Sequence, residues 1–299
     1  MTNRKSMLAV LVLYGRELAA SPTYRALRSA MEEQPAIAAT LELMVADNSP
    51  EPQTMPTDLA VRYVQDGTNP GLAKRYNLAL RAAMEAGCTW LLLLDQDTSL
   101  TREYLAELVE LSARLAAQQE IVAIVPKLVV QGGLASPHLP CYRTPAFVLD
   151  LSSQGEQPGE IRAYNSGALL RVKAVEAIGG FPEAYWLDFL DHATFARLQA
   201  QGGRIYLMAA QLEHEMATSN PDRYKNPAFV RRQQIGFAAE VRFYHEHGTL
   251  RERIHNRFDM LYRAAGSAKH GAFGEAWRLA RAALSPAPWR TSRAVKSDG

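Results

Sequence analysis

The chain predicts an α/β fold built on a parallel, doubly wound sheet with helices above and below it. Two observations carry this. Short apolar runs without polar alternation, the mark of strands buried on both faces, recur through the first two thirds of the chain, and stretches of helical spacing or turns separate them. The sharpest run is Trp90-Leu91-Leu92-Leu93-Leu94, which stops at Asp95-Gln96-Asp97. A central strand that ends this way puts two carboxylates at the carboxyl edge of the sheet, where open α/β sheets bind ligands. Acids one residue apart there can reach one hard cation or the phosphate oxygens it carries. A solvated turn whose aspartates cap the next helix is the competing reading.

Each element follows in order. Residues 7–14 (MLAVLVLY) read as the first buried strand, and Ser21-Pro22 opens a helix over 23–33, with proline at an early helical position. Leu41 to Ala46 is the second strand, closing on Asp47-Asn48-Ser49 and a proline-rich turn. Arg62 to Gln65 is a short third strand, Gly71 to Ala86 a helix stopped by Gly87, and Trp90 to Leu94 the fourth strand. Beyond Asp97, Glu103 to Gln118 has helical spacing and Ile121 to Val125 is another strand. Residues 131–160 read as a loop-rich excursion beside the site, around a strand at Ala146–Leu151. Tyr164 to Arg171 leads into a helix at about Lys173–Ile178, broken by Gly179-Gly180-Phe181-Pro182. Leu187 to Ala200 is helical, Arg204 to Met208 is the last strand, and after Met216 the pattern is all helix and turn.

Length and composition fit this picture. The 299 residues suffice for one large domain or two with a sizeable core. No run approaches the roughly 20 apolar residues of a membrane span, and Met7 to Tyr14 is too short and β-branched for a signal peptide. Cys88 and Cys141 offer neither a disulfide framework nor metal-ligand spacing, so reduced thiols and a cytoplasmic setting are expected. The net charge of +2 hides a split: residues 1–215 carry 18 Lys+Arg against 24 Asp+Glu, and residues 216–299 carry 15 against 7. An acidic body that binds an anion needs a metal, while a basic tail suits an anionic partner. Without aromatic interleaving in a nucleic-acid motif, a membrane surface is favoured over DNA or RNA.

A set of pieces then recurs in a recognisable order: Val45-Ala46-Asp47-Asn48-Ser49; Asn69-Pro70-Gly71-Leu72-Ala73 with Asn77; Leu94-Asp95-Gln96-Asp97-Thr98; Asn165-Ser166-Gly167; Gly179-Gly180-Phe181; Leu187-Asp188-Phe189-Leu190-Asp191 with Arg197; and Leu212-Glu213-His214. Over roughly residues 7–216 the chain resembles inverting family-2 glycosyltransferases of the GT-A fold, within them the rhamnosyltransferase-like branch. The resemblance implies a mixed α/β sheet flanked by helices in a catalytic domain over 1–216, with a nucleotide-sugar half to about 97 and an acceptor half after it. A basic helical extension over 217–299 follows. It also implies transfer of a sugar, rhamnose from dTDP-rhamnose among the candidates, from a nucleoside diphosphate to a glycan or lipid-linked glycan acceptor in cell-surface polysaccharide synthesis. Oligomeric state is open, a homodimer included.

By the same resemblance the donor is held by Tyr14, Asp47 at the base, Asn69, Gly71, Asn77, Asp95 at the ribose or a metal-bound water, and Gln96. Asp97 ligates Mg²⁺ or Mn²⁺, with His214 near the metal or diphosphate. Asn69-Pro70-Gly71 leads into a helix N-terminus, a natural place for an anion, or simply starts the helix. Lys74 and Arg75 oppose the dipole of that helix, which a bound anion would explain. Asp191 aligns with the general base and would take the proton of the acceptor hydroxyl as it attacks the anomeric carbon; an acidic cap on its helix would also place Asp there. Asp188 and Arg197 support it, and Ser166, Gly167 and Trp186 line the acceptor side, where a turn and a core aromatic are the plainer alternatives.

Two departures stand out. Ala193 occupies a position where the family carries a second acid, with Asp188 or His192 as the available substitutes. The tail lacks the family's usual segments and instead offers Phe273 to Leu284, an amphipathic basic helix suited to an anionic bilayer or to packing on a protein surface. The rival readings are a nucleotidylyltransferase, for which Tyr14-Gly15-Arg16-Glu17 has one glycine where a glycine-rich loop is usual, and a degenerate nucleotide-sugar-binding module.

Overall fold

In the computed structural model, which describes residues 5–55, 61–140, 148–213 and 227–285, the first run becomes β1 (Met7–Leu13), followed by α1 (Pro22–Glu33) and α2 (Pro35–Thr40). Ser21 caps α1 by accepting from the Tyr24 amide, and Pro22 sits at the start, where its missing N–H costs nothing. Next come β2 (Leu41–Asp47), β3 (Val61–Gln65), α3 (Leu72–Ala86), β4 (Trp90–Asp95) and α4 (Arg102–Arg114). Gly87, with φ 63°, closes α3 in the left-handed conformation that a helix end demands.

These strands form a parallel sheet in the order β3-β2-β1-β4. Alternate residues serve opposite faces. Met7, Ala9, Leu11 and Leu13 of β1, with Trp90, Leu92 and Leu94 of β4, share one buried cluster with side chains of α1, α2 and α4. The intervening Leu8, Val10, Leu91 and Leu93 are equally buried, and α3 packs on β1 and β4.

The second half departs from an all-parallel expectation. β5 (Ile121–Val130) turns through Gln131 and Gly132, both at positive φ, into β6 (Gly133–Ser136), so a stretch expected as loop is a hairpin. Pro126 inside β5 has no N–H to give its neighbour, and the pairing with β9 shifts register between Val125 and Lys127. Residues 146–147 of the expected strand at Ala146–Leu151 lie outside the described residues. The remaining four are not a strand, because Asp150 accepts from the Ser152 amide and bends the chain. The two-residue β7 (Gly155–Glu156) follows instead. β8 (Leu169–Arg171), α5 (Val172–Ala177), α6 (Leu190–Ala200) and β9 (Arg204–Glu213) complete this half. α6 starts at Leu190 rather than Leu187, since Phe189 at φ 62° cannot continue a right-handed helix.

Among the described residues nine strands make one mixed sheet, in the order β3-β2-β1-β4-β8-β5-β9-β7 with β6 on β5. β8 runs antiparallel to both β4 and β5. After it come α7 (Pro227–His247), α8 (Leu250–Lys269) and α9 (Phe273–Leu284). The chain divides into two compact units: one is Met1–Pro140, Thr144–Glu183 and Leu190–Thr218, the other Cys141–Arg143, Ala184–Phe189 and Ser219–Gly299. The second unit has its own small core of Val241, Met260, Ala264, Leu279 and Ala283.

Arg171, at the amino end of β4 where β8 finishes, is 3% exposed. Its guanidinium donates to the carbonyls of Leu115, Ala116, Gln118 and Ile121 and stacks 4.3 Å from the Trp90 ring. It thereby gathers the end of α4 and the start of β5 onto β4. Arg171→Met should lower stability by about 2–4 kcal/mol, since buried carbonyls lose their donor. Arg171→Lys should recover little, because an ammonium has neither the fork nor the flat face. The urea midpoint at unchanged slope checks both.

Candidate active site at the carboxyl edge of the sheet

The tips of β1, β2 and β4 meet as the apolar runs predict, and their polar ends are tied to one another. The Gln96 side chain accepts from the Tyr14 amide at 2.9 Å and donates to the Tyr14 carbonyl at 3.3 Å, clamping β4 to β1. The Gly15 amide donates to Ser49 Oγ at 2.9 Å, linking β1 to β2. From below, Ser21 Oγ donates to the Gln96 carbonyl, and Thr23 Oγ1 meets the carbonyls of Asp95 and Thr98 at 2.6 and 2.7 Å. The turn that presents Asp95 and Asp97 is therefore held by the first residues of α1. Sequence reasoning used Ser21-Pro22 only as a helix start and missed this second job.

Asp47 is fully buried, and both its oxygens are engaged. Oδ1 accepts from the Ser49 amide at 2.8 Å; Oδ2 accepts from Gln53 Nε2 and Tyr63 Oη, each at 2.9 Å. In this geometry it holds the loop that follows β2. Arg75 is also spoken for: Nε donates to Asn48 Oδ1 at 2.5 Å, Nη2 reaches the carbonyls of Asp47 and Asp66 at 3.3 Å, and the Asp66 carboxylate is 3.6 Å away. The expectation that a bound anion explains Arg75 is thus corrected, because its partners are internal; Lys74 alone remains exposed on that turn. Asn69 at φ 47° and Gly71 at φ 91° shape the entry to α3. Asn77 exchanges bonds of 2.8 and 2.9 Å with the Phe181 backbone, so its amide pins the Gly179-Gly180-Phe181 turn rather than facing a donor. Gly180 suits that spot: a Cβ there would lie 2.6 Å from Asn77 Oδ1.

Across the sheet, β8 brings Ser166 to the tip of β4, where its hydroxyl donates to Asp95 Oδ2. Gly167 donates its amide to Leu93 and takes the Tyr104 hydroxyl on its carbonyl at 2.7 Å. A Cβ on Gly167 would sit 3.1 Å from that hydroxyl, so the glycine permits close packing between elements. Asp95 is half-buried and Asp97 exposed. Tyr76 of α3 is fully buried, and its hydroxyl has no hydrogen-bond partner. Burial pushes its phenol well above the ordinary value, and the charges of Asp95 and Asp191 push the same way. Both carboxylates therefore lie within electrostatic reach of one buried hydroxyl.

Asp191 stands in the first turn of α6, where its Oδ1 accepts from the His192 amide at 2.8 Å. Burial raises its carboxyl to about 6, against the pull of that amide and of His138. Beside it lies a cluster of three rings: His138 and His192 are 5.3 Å apart between centroids, His138 and Tyr164 5.8 Å, Tyr164 and His192 6.0 Å. Backbone exchange between His138 and Arg162, at 2.8 Å in each direction, and the Tyr164 amide on Ser136 Oγ, at 2.8 Å, fix the segments that carry the rings. Burial, first among the causes, holds both imidazoles at about 4, so they are neutral at physiological pH. His138 and Tyr164 were not foreseen; they lie far from Asp191 in sequence and belong to no motif.

Other expected residues are placed elsewhere. Asp188 belongs to the second unit, 3.9 Å from Arg232 and 3.1 Å from where a Cβ of Gly236 would be. Of the two substitutes for the missing acid at Ala193, His192 is the neighbour of Asp191 within its unit. Ala193 itself is fully buried. Trp186 is half-buried in the second unit, and Arg197 is half-buried in the last turn of α6. His214 lies outside the described residues.

The donor set suits a hard divalent cation. Mg²⁺ is held by one or two carboxylates together with substrate phosphates rather than by a full protein cage. Two aspartates at a strand tip, one of them exposed, meet that need, and a grouping of three protein ligands, absent among the described residues, is not required. Asn165 Oδ1, a further hard oxygen beside Ser166, is buried without a partner.

No family profile and no curated protein matches the sequence. Solved structures do. The chain is similar to the crystal structure of S. aureus TarS, with TM-score 0.51 and 14% identity over 90% of this chain and 54% of that one. It is likewise similar to GalNAc-T7 crystallised with UDP, GalNAc and Mn²⁺, with TM-score 0.50 and 13% identity over 83% of this chain and 55% of that one. It thus spans about half the length of each. At such identities the likeness is one of fold, and the mixed nine-stranded sheet with its flanking helices is that of the GT-A glycosyltransferases.

Proposed function

We propose that the chain is an inverting glycosyltransferase that uses a nucleoside diphosphate sugar, with rhamnose as the first donor to test, and a glycan or lipid-linked glycan acceptor. One observation carries this reading: the tip of the parallel half presents Asp95, held by the Ser166 hydroxyl, beside the exposed Asp97, and the buried Tyr76 feels the charge of both Asp95 and Asp191. A carboxylate for the donor's end and a carboxylate for the acceptor's proton are what displacement at an anomeric carbon needs on its two sides. One of the solved neighbours was crystallised with UDP, GalNAc and Mn²⁺, which supports a nucleotide-sugar donor.

The Gln96 clamp and the Asp47 loop shape the donor pocket, with Tyr14, Asn69 and Gly71 along its rim. Asp97 and Asp95 would hold Mg²⁺ or Mn²⁺, with His214 as a further candidate ligand; the ion would offset charge on the departing diphosphate. Asp95 is oriented by Ser166. Asp191, ionised above about pH 6, takes the acceptor hydroxyl's proton while that oxygen forms its bond to the anomeric carbon on the face opposite the diphosphate, whose own bond to that carbon breaks. His138 and His192, held at about 4, are neutral where Asp191 must be ionised and so add no proton of their own to compete for the acceptor's. Arg197, in the last turn of the helix that carries Asp191, acts as a support. A peripheral seat on the inner face of the cell membrane, through the basic C-terminal helices, completes the reading.

Three outcomes test it. A panel of nucleotide sugars with Mn²⁺ should yield one preferred donor; EDTA should abolish turnover reversibly, and Asp97→Asn should nearly abolish it. Full activity in EDTA would remove the metal from the scheme.

Asp191→Asn should leave donor affinity within a few fold by calorimetry while transfer falls about 10²–10⁴-fold. The parental rate should drop about tenfold per pH unit below about pH 6, the value to which the carboxyl is raised. If Asp188→Asn is instead the inactive variant, the base is misassigned.

The same substitution should stabilise the protein. The folded state raises this carboxyl above its ordinary value, so ionised Asp191 is a cost at neutral pH. Asp191→Asn should gain about 1–3 kcal/mol at pH 7–8, less as pH falls through about 6, and nothing below about 4. Paired thermal melts across this range read the sign directly.

A further inference from the structure

The second unit carries an exposed apolar surface that the proposed chemistry does not use. On α8, Leu250, Ile254, Phe258 and Tyr262 are 71%, 47%, 68% and 81% exposed. They recur every four residues, so they form one stripe along the helix. Glu252, Asn256, Met260 and Ala264, spaced the same way on the opposite side, are the buried face. On α9, Phe273, Trp277 and Leu284 are 71%, 67% and 71% exposed, while Leu279 and Ala283 are buried. Met260, Ala264, Leu279 and Ala283 share one small core, so both stripes point away from it.

The charges around the stripes have one sign. Arg251 and Lys269 on α8 and Arg281 on α9 are exposed. The acids of these helices are turned elsewhere: Glu252 is buried in its capping box with Thr249, Asp259 pairs with Arg263 at 3.1 Å, and Glu275 accepts from Gln233 and Ser267. The sequence after Ser285 adds Trp289, Arg290, Arg293 and Lys296 against one acid, Asp298. A face of large apolar side chains bordered by cations repels a second copy of itself but matches an anionic lipid surface. No helix among the described residues is long and apolar enough to cross a membrane. Such helices lie in the interface, with their apolar side chains about 5–10 Å into the headgroup boundary.

We infer that the outward faces of α8 and α9 form one docking surface for an anionic bilayer, with Phe258, Tyr262 and Trp277 as its inserting side chains and Arg251, Lys269 and Arg281 as its headgroup contacts. This deepens the proposed function and rests on its lipid-linked acceptor class, since a bound acceptor would then be drawn from the same lipid surface. It sharpens the sequence expectation, which pointed to the basic C-terminal helices and singled out Phe273 to Leu284; α8, with its four-residue stripe, is the longer part of the face.

The experiment is flotation of the full chain with vesicles of phosphatidylcholine alone or mixed with phosphatidylglycerol. Binding should occur with the anionic vesicles and weaken as salt is raised from about 0.1 M to about 1 M, which shortens the screening length from about 10 Å to about 3 Å. Arg251→Glu with Lys269→Glu should weaken partitioning roughly fivefold or more per residue. Phe258→Ser, Tyr262→Ser and Trp277→Ser together should abolish it, with far-ultraviolet circular dichroism unchanged because these side chains face outward. Absence of flotation overturns the inference, as does equal binding to neutral vesicles. So does a dimer in sedimentation that the serine variant dissolves while the parent ignores vesicles. Donor turnover, scored separately in solution, keeps the two proposals apart: a chain that turns over donor but never floats loses only this surface, and one that floats without turnover keeps it.

Discussion

The site depends on the antiparallel docking of β8 against β4. Leu93 exchanges backbone bonds with Gly167 and Ala168, and the pairing continues through Leu92–Leu169, Leu91–Leu170 and Trp90–Arg171. Because side chains alternate along a strand, that register fixes both ends at once. At the carboxyl end it delivers Ser166 to Asp95; at the other it delivers Arg171 to Trp90 and the carbonyls behind it. A slip by one residue would turn Arg171 and Ser166 to the wrong faces. The two halves of the sheet, parallel before β8 and mixed after it, are joined here.

Hydrogen-bond satisfaction separates the groups that build the site from those left ready to act. Asp47, Arg75, Asn77 and Gln96 are engaged by partners in the chain and serve as fasteners. Asp97, by contrast, is exposed, the Tyr76 hydroxyl and Asn165 Oδ1 are buried without partners, and Asp191 is held at about 6 by burial. Native folds rarely leave such debts at random, since a buried polar atom without a partner costs about 1–3 kcal/mol. Phe189, with φ 62°, directly precedes the helix that carries Asp191 in the chain.

The second unit follows a different logic. Its buried cluster is small, and polar contacts supplement it: Asn256 and Arg263 both bond Glu240, and Tyr185 donates to Glu246 at 2.9 Å. Much of the apolar surface of α8 and α9 is left outward. Three-helix units of this size usually bury such side chains, so their exposure indicates a partner surface rather than a failure to fold.

The sequence by itself determined the strands whose identity rests on local composition. Uninterrupted apolar runs can only be buried on both faces, so β1, β2 and β4 were legible within a residue or so, as were α1 and α3 from Pro22 and Gly87. It also determined where two of the acids stand, since Asp95 and Asp97 follow from the end of a strand; the place of Asp191 rests on the resemblance, and its helix begins at Leu190 rather than Leu187. The hairpin β5–β6 was missed because Gln131-Gly132-Gly133 reads equally as loop or turn, and only pairing decides. Tertiary structure alone decided that Arg75 and Asn77 are fasteners, that Asp188 faces α7, and that His138 and Tyr164 stand beside Asp191. Those facts depend on contacts between residues far apart in the chain. Exposure of the α8 stripe was likewise undecided, because a periodic row of apolar side chains looks the same in sequence whether it faces a core or solvent. Which face is buried is settled only by what packs against the helix.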